Sequence, residues 1–209
     1  CSIKDRGPIE HSATPFLGAY RLLGEAYRRL GERGRAEQYL DRFQVMRTSQ
    51  QKAEALNEEV QSVLARAEER LQEGQVDEAM GLFQEALEKA PDNWFAHSYL
   101  AKIYLSSGYP RFAFEHLSQM AELAPESVEG AYLLGQYWYQ QRDFRQAELY
   151  AEKAKAQYPG SGALRNLLGN IYLELGQREK AVEEYAAAVR LEPERSDFQR
   201  NYEVLLRNR

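Results

Sequence analysis

The side chains with the most chemistry to offer are few. One cysteine and three histidines occur in the 209 residues, at Cys1, His11, His97 and His116. A lone cysteine allows neither an internal disulfide framework nor a cysteine-based zinc site. His97 and His116 fall in different expected helices, without the spacing that sets two imidazoles on one helix face for a metal. His97 is expected partly buried between helices, and His11 solvated in an irregular segment. The carboxylate pairs Glu58-Glu59, Glu68-Glu69 and Glu183-Glu184 suggest acid–base work. Adjacent residues on a helix diverge by about 100°, so these pairs do not converge on one atom and are expected to be exposed charge. No glycine-rich phosphate loop and no nucleophile elbow is present. The pattern calls for no enzyme, no cofactor and no metal.

Cys1 has a different chemistry open to it. The chain does not begin with Met, and Cys1-Ser2 resembles the start of a mature bacterial lipoprotein, whose thiol carries the lipid. A tether containing Gly7-Pro8 follows, up to Pro15. Lipidation at Cys1 implies a membrane-anchored protein of the bacterial periplasm or outer envelope; a cloning remnant at Cys1 leaves a cytoplasmic one. Charged residues make up 28% and apolar ones 44%, with a formal net charge of -5. Basic residues alternate with Glu and Asp instead of forming a stripe, which argues against nucleic acid as a partner. No apolar run approaches the roughly 20 residues that cross a bilayer, so membrane contact is expected only through a lipid on Cys1.

The elements that carry these residues follow one ruler. Pro91, Pro125, Pro159 and Pro193 are spaced 34 residues apart. In phase with them come Ala79, Ala113, Ala147 and Ala181; Ala67, Ala101, Gly135 and Gly169; then Tyr104, Trp138 and Tyr172. This pattern resembles the tetratricopeptide repeat: small residue, aromatic, Ala, aromatic, Ala, closing Pro. The resemblance implies an all-α fold, a right-handed superhelix (α-solenoid) of stacked antiparallel helix pairs. It divides the chain into a tether over 1–14, a divergent helix pair over 15–48, an extra helical or linker segment over 49–59, and repeats over 60–93, 94–127, 128–161 and 162–195. A capping helix over 196–209 closes it.

The residues support this directly. Leu164, Leu167, Leu168, Ile171, Tyr172 and Leu175 make one apolar stripe at helical spacing, and Ala181, Val182, Tyr185, Ala188 and Val189 a second, with Gly176 breaking between them. Pro193 ends the second helix. The divergent pair rests on Leu23, Gly24, Tyr27, Gly31, Ala36 and Leu40. Between 35 and 73 no Gly or Pro occurs. One long helix or two would satisfy this; the polar run Ser49-Gln50-Gln51-Lys52 favours a break there.

In such a solenoid the first helix of each pair lines the concave face. The resemblance assigns to that face Leu64, Glu68 and Leu71; Phe95, Ser98, Lys102 and Leu105; Tyr132, Gln136, Tyr139 and Gln140; and Asn166, Asn170 and Leu173. Aromatic side chains offer apolar contact, and Asn166 and Asn170 can clamp a main-chain amide. The alternatives are that the amides only keep an empty groove soluble, or that the N-terminal segment covers the aromatics. A chaperone-type carboxylate clamp is not matched, since only Lys102 and Asn170 stand at clamp-like positions. The expected function is a protein-interaction scaffold or assembly subunit holding another protein or peptide. It is expected either anchored in an envelope complex, like small repeat lipoproteins that assist machines such as pili, or working as a soluble adaptor or an excised repeat domain.

Overall fold

A computed structural model describes residues 17–207. Among the described residues the chain forms ten helices and no strand: α1 (Leu17–Arg29), α2 (Arg33–Gln72), α3 (Val76–Lys89), α4 (Trp94–Ser106), α5 (Pro110–Leu123), α6 (Val128–Gln140), α7 (Phe144–Gln157), α8 (Gly162–Glu174), α9 (Arg178–Leu191) and α10 (Ser196–Arg207). Two compact units divide it, one ending at Gln61 and the other running from Ser62.

In the first unit α1 turns through Gly31 (φ 78°) and packs on the start of α2. Gly24 permits the approach, because a Cβ there would lie 2.7 Å from the Leu40 side chain. Tyr27 stacks on Tyr39 at 5.4 Å beside it. The break expected at Ser49–Lys52 does not occur, and α2 is one helix of 40 residues. Polar character alone does not stop a helix; Gly or Pro does, and Gln, Lys, Ala and Glu are good helix formers. Local bonds add support, Thr48 Oγ1 to the Gln44 carbonyl at 2.9 Å and Gln50 Nε2 to Glu54 Oε1 at 2.8 Å.

The second unit is the α-solenoid of stacked antiparallel pairs. From α3 to α10 each helix packs on the next, and first helices also touch across repeats, α4 with α6 and α6 with α8. The turns show why the sequence folds this way. Gly74, Gly108 and Gly176 take φ of 78°, 77° and 72°, a left-handed conformation that costs glycine little. At the same register in the third repeat stands Arg142, at φ 62°. Asn93, Ser127 and Ser161, each two residues past a closing proline, cap α4, α6 and α8 by accepting from the third backbone N–H beyond. The carbonyls of those prolines are also used: His97, Lys153, Arg165 and Gln199 bond Pro91, Pro125, Pro159 and Pro193 in turn.

The core repeats with the ruler. Ala79, Ala113, Ala147 and Ala181 are fully buried, as are Phe83, Leu117 and Ala86. One cluster joins Leu117, Met120 and Leu133, and a second joins Leu164, Leu168, Ile171 and Tyr185. Phe198 and Leu205 of α10 are buried at the end, and Arg178 donates to the Leu205 carbonyl.

Candidate functional site

Three short helices carry the candidate residues, and they do not all present them outward. Ser98 is fully buried, its hydroxyl donating to the Phe95 carbonyl at 2.9 Å. Leu105 is 5% exposed and belongs to the core with Ala113 and Leu117. Both therefore offer no contact surface, a correction to the positional assignment. The cause is that α4 has neighbours on three sides, α3, α5 and α6, so its buried arc is wide. Leu64 is buried as well.

What remains on α4 is tied to both neighbouring first helices. Phe95 packs on Tyr99 at 4.8 Å between ring centroids. The Tyr99 hydroxyl donates to Glu68 Oε1 of α2 at 2.7 Å. Burial, then this bond to a carboxylate, pushes the phenol up to about 12. The Lys102 ammonium sits 4.8 Å from the centre of the Tyr99 ring and pairs with Glu129 of α6. Tyr99 was not among the residues picked out by position. Its signal lay in the ruler, because Leu133 and Leu167 occupy its register in the next repeats and are buried there. A tyrosine at that place brings a hydroxyl the core does not require.

On α6, Gln136 Nε2 donates to the Tyr132 hydroxyl at 2.8 Å, and Gln140 Nε2 to the Leu105 carbonyl at 3.3 Å. Tyr139 is half-buried, its ring 5.7 Å from Phe144. Burial raises both Tyr132 and Tyr139, so both remain neutral. On α8, Asn170 Oδ1 accepts from the Tyr185 hydroxyl at 2.5 Å, and Asn166 Oδ1 accepts from Asn201 Nδ2 of α10 at 2.9 Å. Both carbonyl oxygens are thereby engaged, so the NH2 group is what each side chain has left to offer a further partner. Leu173 is 43% exposed at the end of the row.

The other chemistry-bearing residues have structural partners. Glu184 is not exposed charge, as its sequence context had suggested; it is 8% exposed and held by Lys155 at 3.0 Å and Arg165 at 2.9 Å. Lys155 also meets Glu152, which accepts from the Tyr172 hydroxyl. Burial opposes the Glu152 charge, but the bonds from Lys155 and Tyr172 outweigh it and hold the carboxyl below its usual range. His97 and His116 come together across α4 and α5 at 2.9 Å. Among the described residues no group of three or more His, Cys, Asp and Glu could hold a metal. No described helix is long and apolar enough to cross a membrane. Cys1 and His11 lie outside the described residues.

Known proteins share this architecture. The chain is similar to pilF of Pseudomonas aeruginosa at 20% identity, covering 74% of this chain and 70% of that one with a TM-score of 0.65. It is similar to TTC0263, a thermophilic TPR protein of Thermus thermophilus, at 20% identity, 91% and 98% coverage and a TM-score of 0.59. With MamA of Desulfovibrio magneticus RS-1 it shares 17% identity, 88% and 99% coverage and a TM-score of 0.57. No curated protein matches the sequence significantly. Tetratricopeptide repeat models match residues 70–137 and 139–200, and related ones match 113–162 and 19–53. Proteins with this repeat generally serve as scaffolds that bind other proteins or peptides. With most of its length matched in that way, the chain belongs to the tetratricopeptide repeat family.

Proposed function

We propose that the face formed by α4, α6 and α8 holds an extended stretch of another polypeptide, with Phe95, Lys102, Tyr132, Gln136, Tyr139, Asn166, Asn170 and Leu173 as its contacts. The observation that carries this reading is the polarity of the two asparagines. Their oxygens are occupied by Asn201 and Tyr185, so each presents an NH2 group. Side chains four apart on a helix stand about 5–6 Å from each other. In an extended chain, carbonyls on one side recur every two residues, about 6.6 Å. Two fixed donors therefore match two successive same-side carbonyls of a strand-like segment. Tyr132 and Tyr139 supply the apolar floor for its side chains.

The test uses variants that keep the internal bonds. Asn166→Asp with Asn170→Asp retains both acceptor oxygens and removes both NH2 groups. Displayed 12-residue peptides are selected on the native chain, and their affinities are read by fluorescence anisotropy. The expected result is at least a tenfold loss in the double variant and in Tyr139→Ala, with unfolding midpoints near the native one. Peptides that bind all three proteins equally would refute the groove. The anchored form of the scaffold, with a lipid on Cys1 holding it in a bacterial envelope complex, has its own test. Intact mass of protein isolated from its native source shows a diacyl- or triacyl-glyceryl group on Cys1 if the anchor exists. An unmodified thiol leaves the groove to a soluble adaptor.

A further inference from the structure

The helix α1 has two apolar faces and one neighbour. Toward α2 it turns Tyr20, Gly24 and Tyr27, with Gly24 against Leu40 and both tyrosine rings on Tyr39. At about 100° per residue, Ala19, Leu22, Leu23, Ala26 and Leu30 fall together on another side. All five are exposed, Leu22 at 60%, Leu23 at 41% and Leu30 at 71%. Leu30 lies one residue past α1, yet its N–H donates to the Ala26 carbonyl at 3.1 Å and keeps it in line with the helix.

The repeat register says what such residues do elsewhere in the chain. Gly24 and Ala36 stand 43 residues before Ala67 and Ala79, one 34-residue period and nine more. On that alignment Ala19, Leu22, Leu23 and Ala26 hold the places of Leu164, Leu167, Leu168 and Ile171 in the last repeat, all of them buried. There they pack on the repeat before them, in one cluster with Ala131, Ala147 and Ala151. The first repeat of the second unit has Ser62, Ala65, Arg66 and Glu69 at these places, all exposed, as suits a terminal repeat. The first unit instead keeps an inner repeat's apolar contact residues on an open side.

We infer that this stripe is a contact between two copies of the chain, with α1 of one packed antiparallel to α1 of the other. Residues 19, 23, 26 and 30 follow the four-three-four spacing of a seam between two helices. Their types alternate, Ala19, Leu23, Ala26 and Leu30. Antiparallel about a two-fold axis between residues 24 and 25, Leu23 of each copy meets Ala26 of the other, and Leu30 meets Ala19. Large then faces small in every layer, as close packing requires. A parallel pair in register would set leucine on leucine and leave alanine over alanine. Leu22 flanks the seam opposite Arg29 of the second copy, whose aliphatic stem can cover it. A stripe that complements its own reverse fits a second copy, whereas a foreign helix needs no such symmetry. One short helix from each copy falls short of the roughly 1,600 Å² of a standard interface, so the dimer is a weak one. It lies on the first unit and does not rest on the proposed groove of α4, α6 and α8.

Sedimentation velocity of the full chain from about 1 to about 500 µM, with reductant so that Cys1 cannot link copies, should show a reversible monomer–dimer equilibrium. Leu30→Glu, at the most exposed leucine of the stripe, should weaken the dimer at least about 10-fold with helicity by circular dichroism unchanged. Leu23→Ala leaves alanine over alanine and Ala26→Leu sets leucine on leucine, so each should weaken it too. The two together exchange large for small and should return the dissociation constant to within about 3-fold of the native one. A chain monomeric over the whole range would overturn the inference, as would a dimer that Leu30→Glu leaves unchanged. Failure of the double variant to recover what the single ones lose would overturn the antiparallel seam.

Discussion

Gly135 and Gly169 are 34 residues apart, hold the same place in the repeat, and should respond oppositely to the same methyl group. A Cβ on Gly169 would lie 2.6 Å from Cδ1 and Cε1 of Tyr185. That ring is 2% exposed and its hydroxyl is bonded to Asn170, so it cannot swing aside without breaking the bond. A Cβ on Gly135 would meet the Ala151 Cβ at 3.4 Å, close to ordinary contact. The difference arises from residues 151 and 185, Ala in one repeat and Tyr in the next. Both substitutions gain about 1 kcal/mol of helix propensity, which cancels in the comparison. Overpacking against a fixed ring costs about 1–3 kcal/mol. Gly135→Ala should therefore exceed Gly169→Ala in stability by about 2 kcal/mol, or about 4–8 °C in Tm for a chain of this size. Urea and thermal unfolding measure it, and Tyr185→Leu, the residue type at 117, should relieve most of the Gly169→Ala cost. Equal stability of the two variants would refute the assigned register.

Arg142→Gly should stabilise the chain by about 0.5–1 kcal/mol, because a left-handed residue costs about 1–2 kcal/mol and glycine returns part of that as chain entropy; a lower unfolding midpoint would contradict it. Glu184→Leu should cost about 1–3 kcal/mol, since it removes the carboxylate that Lys155 and Arg165 share while Lys155 keeps Glu152 and Arg165 keeps the Pro159 carbonyl. Denaturant titration reads that loss, and an unchanged midpoint would show the network to be dispensable.

The repeat architecture was legible because its signals are local and in phase: a closing proline that stops a helix, a glycine turn, and small residues where helices cross. The continuous α2 was not, because a polar run such as Ser49–Lys52 looks the same on a solvated helix as in a linker. The surface positions were legible only in part. Helical spacing places Ser98 on the same face as Lys102, yet how much of that face is covered depends on how closely α3 and α6 approach α4, which no local pattern records. The His97–His116 contact and the burial of Glu184 share that origin. Each joins residues of two helices whose relative rotation is set by packing, although the common 34-residue register linking 97 with 165 and 116 with 184 was present in the sequence.

The proposed capture of another polypeptide on the face of α4, α6 and α8 has a direct measurement. It replaces Tyr139 with a photo-crosslinking amino acid in the native host, with Leu149, 61% exposed on α7, as the control position. Irradiation followed by mass spectrometry should give polypeptide adducts at 139 and not at 149, with the crosslinked segment in an unstructured or strand-like stretch of its protein. Adducts at 149 alone, or equal adducts at both, would contradict the account.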